Sequence, residues 1–227
     1  MPLLLALETS SPVCSVALYQ DFHLLGLAEL RVEKSHSSHI TVLIEQLLTN
    51  TGHNRQELSA IAVSGGPGSY TGLRIGGATA KGLCYSLDIP LVEVSTLHAM
   101  AQEVICYTAD PAQYLYCPML DARRMEVFTC FLDHELREIL PVEPVILQKD
   151  SLADQLKEQK ILFFGSGAAK WKELLGAHPN ALFVEEVIPN AKFVGQLAWP
   201  KYQAAQFEDV AYYEPFYLKE VYITKSL

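Results

Sequence analysis

The sequence predicts a two-lobed α/β protein in which mixed β-sheets are flanked by helices. Short apolar runs bounded by turn residues alternate with amphipathic segments of helical period. In addition, a strand that ends in an acid, a polar turn and a second β-rich run occur near the N-terminus and again after residue 113. The segment from Cys106 to Gln113 separates the two occurrences, and its Asp110-Pro111 pair is typical of a linker.

The first 32 residues predict an antiparallel meander. Leu3 to Leu7 is a short continuous apolar run, as expected for a central strand, and Glu8 to Pro12 forms a polar turn. Two further β-rich runs follow, Val13 to Tyr19 and Leu24 to Val32. Because the connections are short, we expect successive strands to pair antiparallel at the start of a mixed sheet.

The first predicted helix begins after Ser35 or Ser37, both of which suit an N-cap, and Gly52 suits its C-terminal stop. Its apolar residues recur at i, i+3, i+4, i+7 and i+8, so they share one face. The residues of that face are Ile40, Leu43, Ile44, Leu47 and Leu48.

Two more strand–helix units complete the predicted N-terminal lobe. Leu58 to Ser64 is a strand, and the run from Tyr70 to Leu87 is a helix that ends at Asp88-Ile89-Pro90. Leu91 to Val94 is the next strand and Leu97 to Ile105 the next helix.

The second half of the chain repeats the opening pattern. Tyr114 to Leu120 and Glu126 to Leu132 are strands joined by the turn Asp121 to Arg124, and Ile161 to Phe164 is a further strand before the helix Ala168 to Leu175. The recurrence indicates two related lobes, and an ordinary hairpin that recurs by chance is the alternative. We expect residues 1–105 to form an N-terminal lobe and residues 106–227 a smaller C-terminal lobe.

Composition narrows the function classes. Half of the residues are hydrophobic, 19% are charged and the net charge is −9, which supports a buried core and disfavours a free-standing nucleic-acid binder. The alternative is a local basic patch that forms only when the chain folds and that would bind nucleic acid. The five cysteines form no CxxC pair, and the apolar N-terminal run is too short for a signal peptide or a membrane span. We therefore expect a reduced, cytoplasmic protein, with the aromatic tail Asp209 to Thr224 packed back on the N-terminal lobe.

The segment from Ser64 to Gly72 is a glycine-rich turn between a strand and a helix. Such a turn exposes backbone N–H groups at the positive end of the helix dipole, where they can hold a phosphate. It lacks the Gly-Lys-Ser/Thr of a Walker A loop. A tight turn that only allows close packing of strand and helix is the alternative.

The helix after this turn contains an unusual number of glycines. Gly72, Gly76 and Ala80 recur every four residues, with Gly77 and Gly82 beside them. Each glycine inside a helix costs about 1 kcal/mol relative to alanine, so a close neighbour is expected to compensate. That neighbour is either the preceding helix of the same chain or a partner subunit.

Three segments resemble the nucleotide site of actin-like ATPases. Glu8 with the following Thr9-Ser10-Ser11 could hold a metal-bound phosphate, Asp121 could oppose it, and Gly165-Ser166-Gly167 could approach a nucleotide. However, the turn at Asp121 contains no glycine, which disfavours independent ATP hydrolysis. No two of the seven histidines are four apart, and no Gly-x-Ser-x-Gly elbow occurs, so we predict neither catalytic residues nor a metal site.

The chain closely resembles the TsaB (YeaZ) family of tRNA threonylcarbamoyladenosine biosynthesis. The Gly66 to Gly76 stretch is the most specific part of the match, and Ser38, Tyr70 and Phe128 are mild departures from the family pattern. The matching segments are Leu5 to Ser10, His36-Ser37, Ser64 to Gly76, Asp121 to Arg124 with Glu126-Val127, and Pro215 to Leu218.

The resemblance implies an actin/Hsp70-like (ASKHA, RNase H-like) fold and a non-catalytic role. It implies partnership with a larger TsaD-like catalytic paralogue and a TsaE-like ATPase. Together they transfer a threonylcarbamoyl group from threonylcarbamoyl-AMP to N6 of the adenosine beside the tRNA anticodon. This chain would need no cofactor of its own, because ATP and magnesium are used by the partner complex. It would form a homodimer when alone and meet tRNA only through the complex. An independent ATP-dependent enzyme is the alternative, and a glycoprotease-like peptidase is the least favoured one.

Two sets of site residues follow. The family pairs through helices of the N-terminal lobe, which implies a partner interface at His36, His39, Ile40, Leu43, Leu47, Leu73, Gly76, Gly77 and Ala80. The predicted contacts to a nucleotide or phosphate are Glu8, Thr9, Ser10, Gly65, Gly66, Gly68 and Ser69.

Overall fold

A computed structural model describes residues 1–32, 36–148, 153–175 and 178–217. Two five-stranded mixed sheets make up its framework. The first has the order β3-β2-β1-β4-β5, and the second has the order β10-β9-β6-β7-β8. This architecture confirms the predicted class of mixed sheets flanked by helices. The strands of the first sheet are β1 (Leu3–Glu8), β2 (Cys14–Gln20), β3 (His23–Leu30), β4 (Ala60–Gly66) and β5 (Leu91–Ser95).

The predicted meander is confirmed, since β1 pairs antiparallel with β2, and β2 with β3. On its other side β1 pairs parallel with β4, which pairs parallel with β5. Each parallel step needs a crossover, and helices supply it. The connection from β1 to β4 contains α1 (His36–Thr51), and α2 (Tyr70–Leu87) joins β4 to β5. A third helix, α3 (Thr96–Tyr107), follows β5 and leads to the second sheet, and the three helices contain the residues predicted to be helical.

The central strand β1 is buried on both faces. Leu5 and Leu7 pack in the core beneath α1 and α2, whereas Leu4 and Ala6 face the opposite core. Successive side chains of a strand point to opposite faces, so a continuous apolar run is the expected sequence for this position.

The second sheet repeats the antiparallel opening, with β6 against β7 and β7 against β8, and adds β9 and β10 in parallel. The helix α3 lies between the sheets, because Ala99 packs in a core of the first sheet and Val104 in a core of the second. The remaining elements are β6 (Tyr114–Asp121), β7 (Glu126–Leu132), β8 (Glu138–Ile146), α4 (Ala153–Glu158), β9 (Lys160–Phe164), α5 (Ala168–Leu175), β10 (Ala181–Val184) and α6 (Ala191–Gln203).

Four of these elements, β8, α4, β10 and α6, have no counterpart in the sequence-based prediction. Pro141 and Pro144 argue against a strand, yet β8 lies at the edge of its sheet, where a missing N–H is tolerated. In the same way, Pro200 lies inside α6, near its C-terminal end. The prolines of β8 and α6 therefore hid, in the sequence, two elements that tertiary packing stabilises.

The helix α6 returns to the first sheet. Tyr19 donates a hydrogen bond from its hydroxyl to the carbonyl of Lys192 at 2.5 Å, and Gly195 lies against the Tyr19 ring. Farther along the chain, Tyr213 is buried in the core beneath α1 and α2. The exact lobe boundary at residue 105 stays a prediction, and the tail beyond residue 217 lies outside the described residues.

All five cysteines are free, and only Cys106 is exposed. Burial, with a smaller contribution from Glu8, raises the pKa of Cys14 to about 11, and burial raises the pKa of Cys84 and of Cys117 to about 12. Among the described residues, no helix has the length and apolar character needed to cross a membrane.

We expect one thiol of the native protein to react rapidly with Ellman's reagent, because only a solvent-accessible thiolate attacks it efficiently. All five should react in denaturant. Absorbance at pH 8 measures both phases, and Cys106→Ser should remove the fast one. A fast phase that survives this substitution would contradict the burial of the other four.

Candidate functional site: the glycine-rich turn and the outer face of α1 and α2

The turn after β1 and the glycine-rich turn before α2 bond directly to each other. The Ser69 N–H donates to the Ser10 carbonyl at 2.7 Å, and the Thr9 hydroxyl donates to the Gly72 carbonyl at 2.8 Å. Within the first turn, Oε1 of Glu8 accepts a hydrogen bond from the Ser10 N–H at 2.5 Å. The two segments predicted to hold phosphate therefore hold each other.

The glycines are required by this contact. A Cβ atom on Gly72 or Gly76 would come closer than 3.0 Å to Thr9, and one on Gly68 would come equally close to Ser10. For Gly72 the obstacle is a backbone carbonyl, which cannot rotate away as a side chain can. These residues therefore have a packing role within the chain.

The C-terminal tail covers the other side of the glycine-rich turn. The Phe216 N–H donates to the Gly65 carbonyl at 2.7 Å, and Gly66, at φ +114°, lies against the Phe216 carbonyl. The Glu93 side chain packs on Gly65. Burial, and to a lesser degree Glu208, raises the pKa of Glu93 above its usual range.

The structure thus brings together all seven residues of the predicted phosphate site but buries five of them. Glu8, Thr9, Ser10, Gly65 and Gly66 are buried, so a phosphate cannot reach them without displacing the chain. Within this set, Gly68 and Ser69 retain exposed surface. The role of the seven residues in phosphate contact stays a prediction, and the sequence could not show that the chain itself fills the space between them.

In the second half of the chain, Lys170 forms an ion pair with Asp121, the acid that the sequence analysis placed opposite the phosphate. Its ammonium lies 2.6 Å from Oδ1 of Asp121 and also donates to the carbonyls of Arg124 at 2.5 Å and Glu126 at 3.3 Å. Partial burial acts to raise the pKa of Asp121, but hydrogen bonds from Lys170 and the Arg123 N–H hold it below its usual range. A cation of the chain therefore already neutralises this carboxylate.

The late Gly-Ser-Gly segment is also used internally. Gly165, at φ +95°, lies against the Met119 carbonyl, and Gly167 lies against Val127. The Asp121 N–H donates to the hydroxyl of Ser166 at 3.0 Å. This segment fixes the end of β6, and its glycines are explained by that packing.

The structure places most residues of the predicted partner interface inside the chain, and the interface itself stays a prediction. Thr9 fills the space beside Gly76, and Tyr213 and Pro215 fill the space beside Gly77. Residues of the same chain therefore already pack against this small-residue stripe of α2. The apolar members of the set are core residues, each at most 6% exposed, namely Ile40, Leu43, Leu47, Leu73 and Ala80. His39 is exposed, and the His36 side chain lies outside the described residues.

An outer surface of the same two helices remains open. A groove of about 300 Å³ runs between α1 and α2, and a Cβ atom on Gly82 would meet nothing within 4 Å. Nearby, Val42 is 46% exposed and Tyr85 is 87% exposed. In the sequence, this face could have been found from Ala78 and Gly82, which lie four residues apart. They form a second small-residue stripe, beside the one of Gly72, Gly76 and Ala80. The groove is lined by Thr41, Ile44, Glu45, Leu48, Arg55, Ala78, Thr79, Gly82 and Leu83.

Comparison with known proteins gives the family. Residues 26–212 match the model of TsaD, the tRNA N6-adenosine threonylcarbamoyltransferase. The chain is 29% identical to the Haemophilus influenzae tRNA threonylcarbamoyladenosine biosynthesis protein TsaB, over 99% of this chain and 96% of that protein. It is 30% identical to the Bacillus subtilis TsaB, over 86% of this chain and 80% of that protein.

A solved structure has the same fold as this chain. A Pseudomonas aeruginosa protein described as similar to the peptidase YeaZ superposes with a TM-score of 0.85 at 23% identity, covering 96% of this chain and 100% of that one. This superposition shows that the two proteins share the α/β fold of two mixed sheets described above. With a family model that spans most of the chain and a TsaB relative 30% identical over most of both proteins, the chain belongs to the TsaB family of tRNA threonylcarbamoyladenosine biosynthesis proteins.

Proposed function

We propose that this chain is a non-catalytic subunit that docks on a larger TsaD-like threonylcarbamoyltransferase and activates it. With a TsaE-like ATPase, the complex transfers the threonylcarbamoyl group of threonylcarbamoyl-AMP to N6 of the adenosine beside the tRNA anticodon. The family model that matches residues 26–212 describes a transferase of this kind, which supports a partner that shares the fold of this chain. The cytoplasm, where tRNA is modified, is the compartment that fits this role.

The residues that correspond to the nucleotide site of actin-like ATPases are already bonded to other groups of this chain, which supports the non-catalytic part of the proposal. Lys170 neutralises Asp121, and the turn after Glu8 is bonded to the glycine-rich turn. An actin-like ATPase must leave such groups free for phosphate and metal. We therefore assign ATP and magnesium to the partner complex and no cofactor to this chain. Calorimetry of the isolated chain with ATP and magnesium separates this role from that of an independent ATP-dependent enzyme, which would bind and turn over nucleotide alone.

Gly82 carries the docking part of the proposal. An exposed glycine inside a helix costs about 1 kcal/mol relative to alanine, and nothing in the described chain approaches this one. A close neighbour from another molecule would account for it, as Thr9 accounts for Gly76. The groove beside Gly82 offers the buried side chains of Ile44 and Leu48 and the exposed small residues Ala78 and Gly82, a surface on which a partner helix can pack. The same face would form a homodimer when the partner is absent.

Replacing Gly82 with glutamine should weaken docking at least about 30-fold, which corresponds to about 2 kcal/mol. The side chain would fill the groove while leaving the monomer folded, because glutamine favours helix and the site is open. Calorimetric titration with the transferase measures the affinity, and modified nucleoside formed on tRNA measures activation.

Gly82→Ala adds only one methyl group, and it should also weaken docking, because the close approach that accounts for the glycine leaves no room for a Cβ atom. Ser86→Gln places the same side chain one turn away, at an exposed position outside the residues that line the groove. Wild-type affinity for Gly82→Gln would exclude this face as the docking surface. Full modification activity without this chain would exclude the activating role.

A further inference from the structure

The turn between β6 and β7 places two neighbouring arginines in a strained backbone. Arg123 has φ +71° and Arg124 has φ +50°, the left-handed region that disfavours residues with a Cβ atom. Glycine or asparagine would adopt these conformations more easily. Arg123 and Arg124 are the consecutive pair among the eight non-glycine residues with positive φ in the described chain, which raises the question of what their side chains bind.

A set of hydrogen bonds within the chain holds this turn in place. Lys170 grips the Arg124 carbonyl, and Oδ1 of Asp121 accepts from the Arg123 N–H at 2.6 Å. The Met125 carbonyl accepts from the Leu147 N–H at 2.8 Å. Three hydrogen bonds therefore hold the backbone of this turn, from which both arginine side chains extend.

The charge of the turn is opposite to that of the protein. The chain has 17 basic and 26 acidic residues, yet two arginines are consecutive here, and both residues are exposed. Arg31 and Arg137 are paired with carboxylates, whereas neither Arg123 nor Arg124 has an ion-pair partner among the described residues. Lys170 already neutralises Asp121, so the turn keeps an excess of positive charge.

We propose that Arg123 and Arg124 bind the phosphodiester backbone of tRNA held by the modification complex. The planar guanidinium group donates two parallel hydrogen bonds to a phosphate, and adjacent arginines match adjacent phosphates. This inference rests on the proposed function, because it needs a complex that holds tRNA. It supplies the local basic patch that composition alone left open, and it replaces the expectation that tRNA meets this chain only through its partners.

The test is Arg123→Gly/Arg124→Gly in the assembled complex, with labelled tRNA titrated by fluorescence anisotropy at several salt concentrations. Affinity should fall about tenfold, and the slope of log affinity against log salt should shrink by about 1.5, the value for two lost phosphate contacts. The thermal midpoint of the isolated variant should rise, since glycine relieves the strain. A purely structural role of the arginines would not combine higher stability with weaker tRNA binding.

Arg137→Gln/Lys172→Gln is the matched control, because it removes the same two charges from ion pairs elsewhere in the second lobe. Unchanged affinity and salt slope in the glycine variant, or equal losses in the control, would overturn the proposal. So would weaker assembly with the transferase at unchanged tRNA affinity, because the arginines would then bind an acidic protein surface. Assembly is measured separately by size-exclusion chromatography. If the wild-type chain does not assemble, the proposed function fails, and the same titration of the isolated chain still decides whether these arginines bind tRNA.

Discussion

Replacing Gly72 with alanine is expected to destabilise the protein by about 3 kcal/mol, although alanine is the better helix former by about 1 kcal/mol. The added methyl group would overlap the backbone carbonyl of Thr9. Thr9 is fully buried, and its hydroxyl donates a hydrogen bond to the Gly72 carbonyl, which holds the two segments together. Neither atom can move without separating α2 from the end of β1. The steric cost therefore exceeds the gain in helix propensity.

Denaturant unfolding measures the free-energy change, and the thermal midpoint should fall by roughly 6–12 °C for a chain of this size. Gly82→Ala is the control in the same helix. It meets open space, so it should stabilise the protein by about 1 kcal/mol. Opposite signs for the two substitutions would establish that one glycine stripe is needed by the fold and the other is not. A neutral Gly72→Ala would contradict the close approach of the two turns.

Replacing Tyr213 with alanine is expected to cost about 3–5 kcal/mol, the usual range for removing a buried aromatic side chain. Tyr213 is 5% exposed and lies in the core beneath α1 and α2, against Gly77. Lys81 ties this part of the tail to α2 by donating to the carbonyls of Ala211 at 3.1 Å and of Tyr213 at 3.0 Å. Losing the ring should therefore also loosen the tail over the glycine-rich turn, which hydrogen exchange at Phe216 reports.

The neighbouring Tyr212 is the matched control, because it is 84% exposed and its replacement by alanine should change stability by less than about 0.5 kcal/mol. Tyr213→Phe separates the ring from its hydroxyl, which is buried without a hydrogen-bond partner among the described residues. Its removal should be neutral or stabilising by about 1 kcal/mol. A large loss for Tyr213→Phe would show that the hydroxyl has a partner after all.

Periodicity predicted most of the elements because their local and tertiary preferences agree. The boundaries of α2, Tyr70 and Leu87, follow from a serine that caps its start and a left-handed Asp88 that ends it. Edge strand β8 and helix α6 were missed because their prolines oppose the structure that packing stabilises. The family was recognised from the Gly66 to Gly76 stretch, whose residue types are strongly constrained by contacts with Thr9 and Ser10.

The sequence by itself determined that glycines and alanines along α2 must lie against something close, because a helix does not otherwise tolerate so many. It could not determine what lies there, since spacing shows that residues share a face and not which atoms cover it. Only the tertiary structure decided that Thr9 and the tail cover Gly76 and Gly77, while Gly82 stays open. The division depends on where β1 ends and the tail returns, and these positions are set by contacts between residues far apart in the chain.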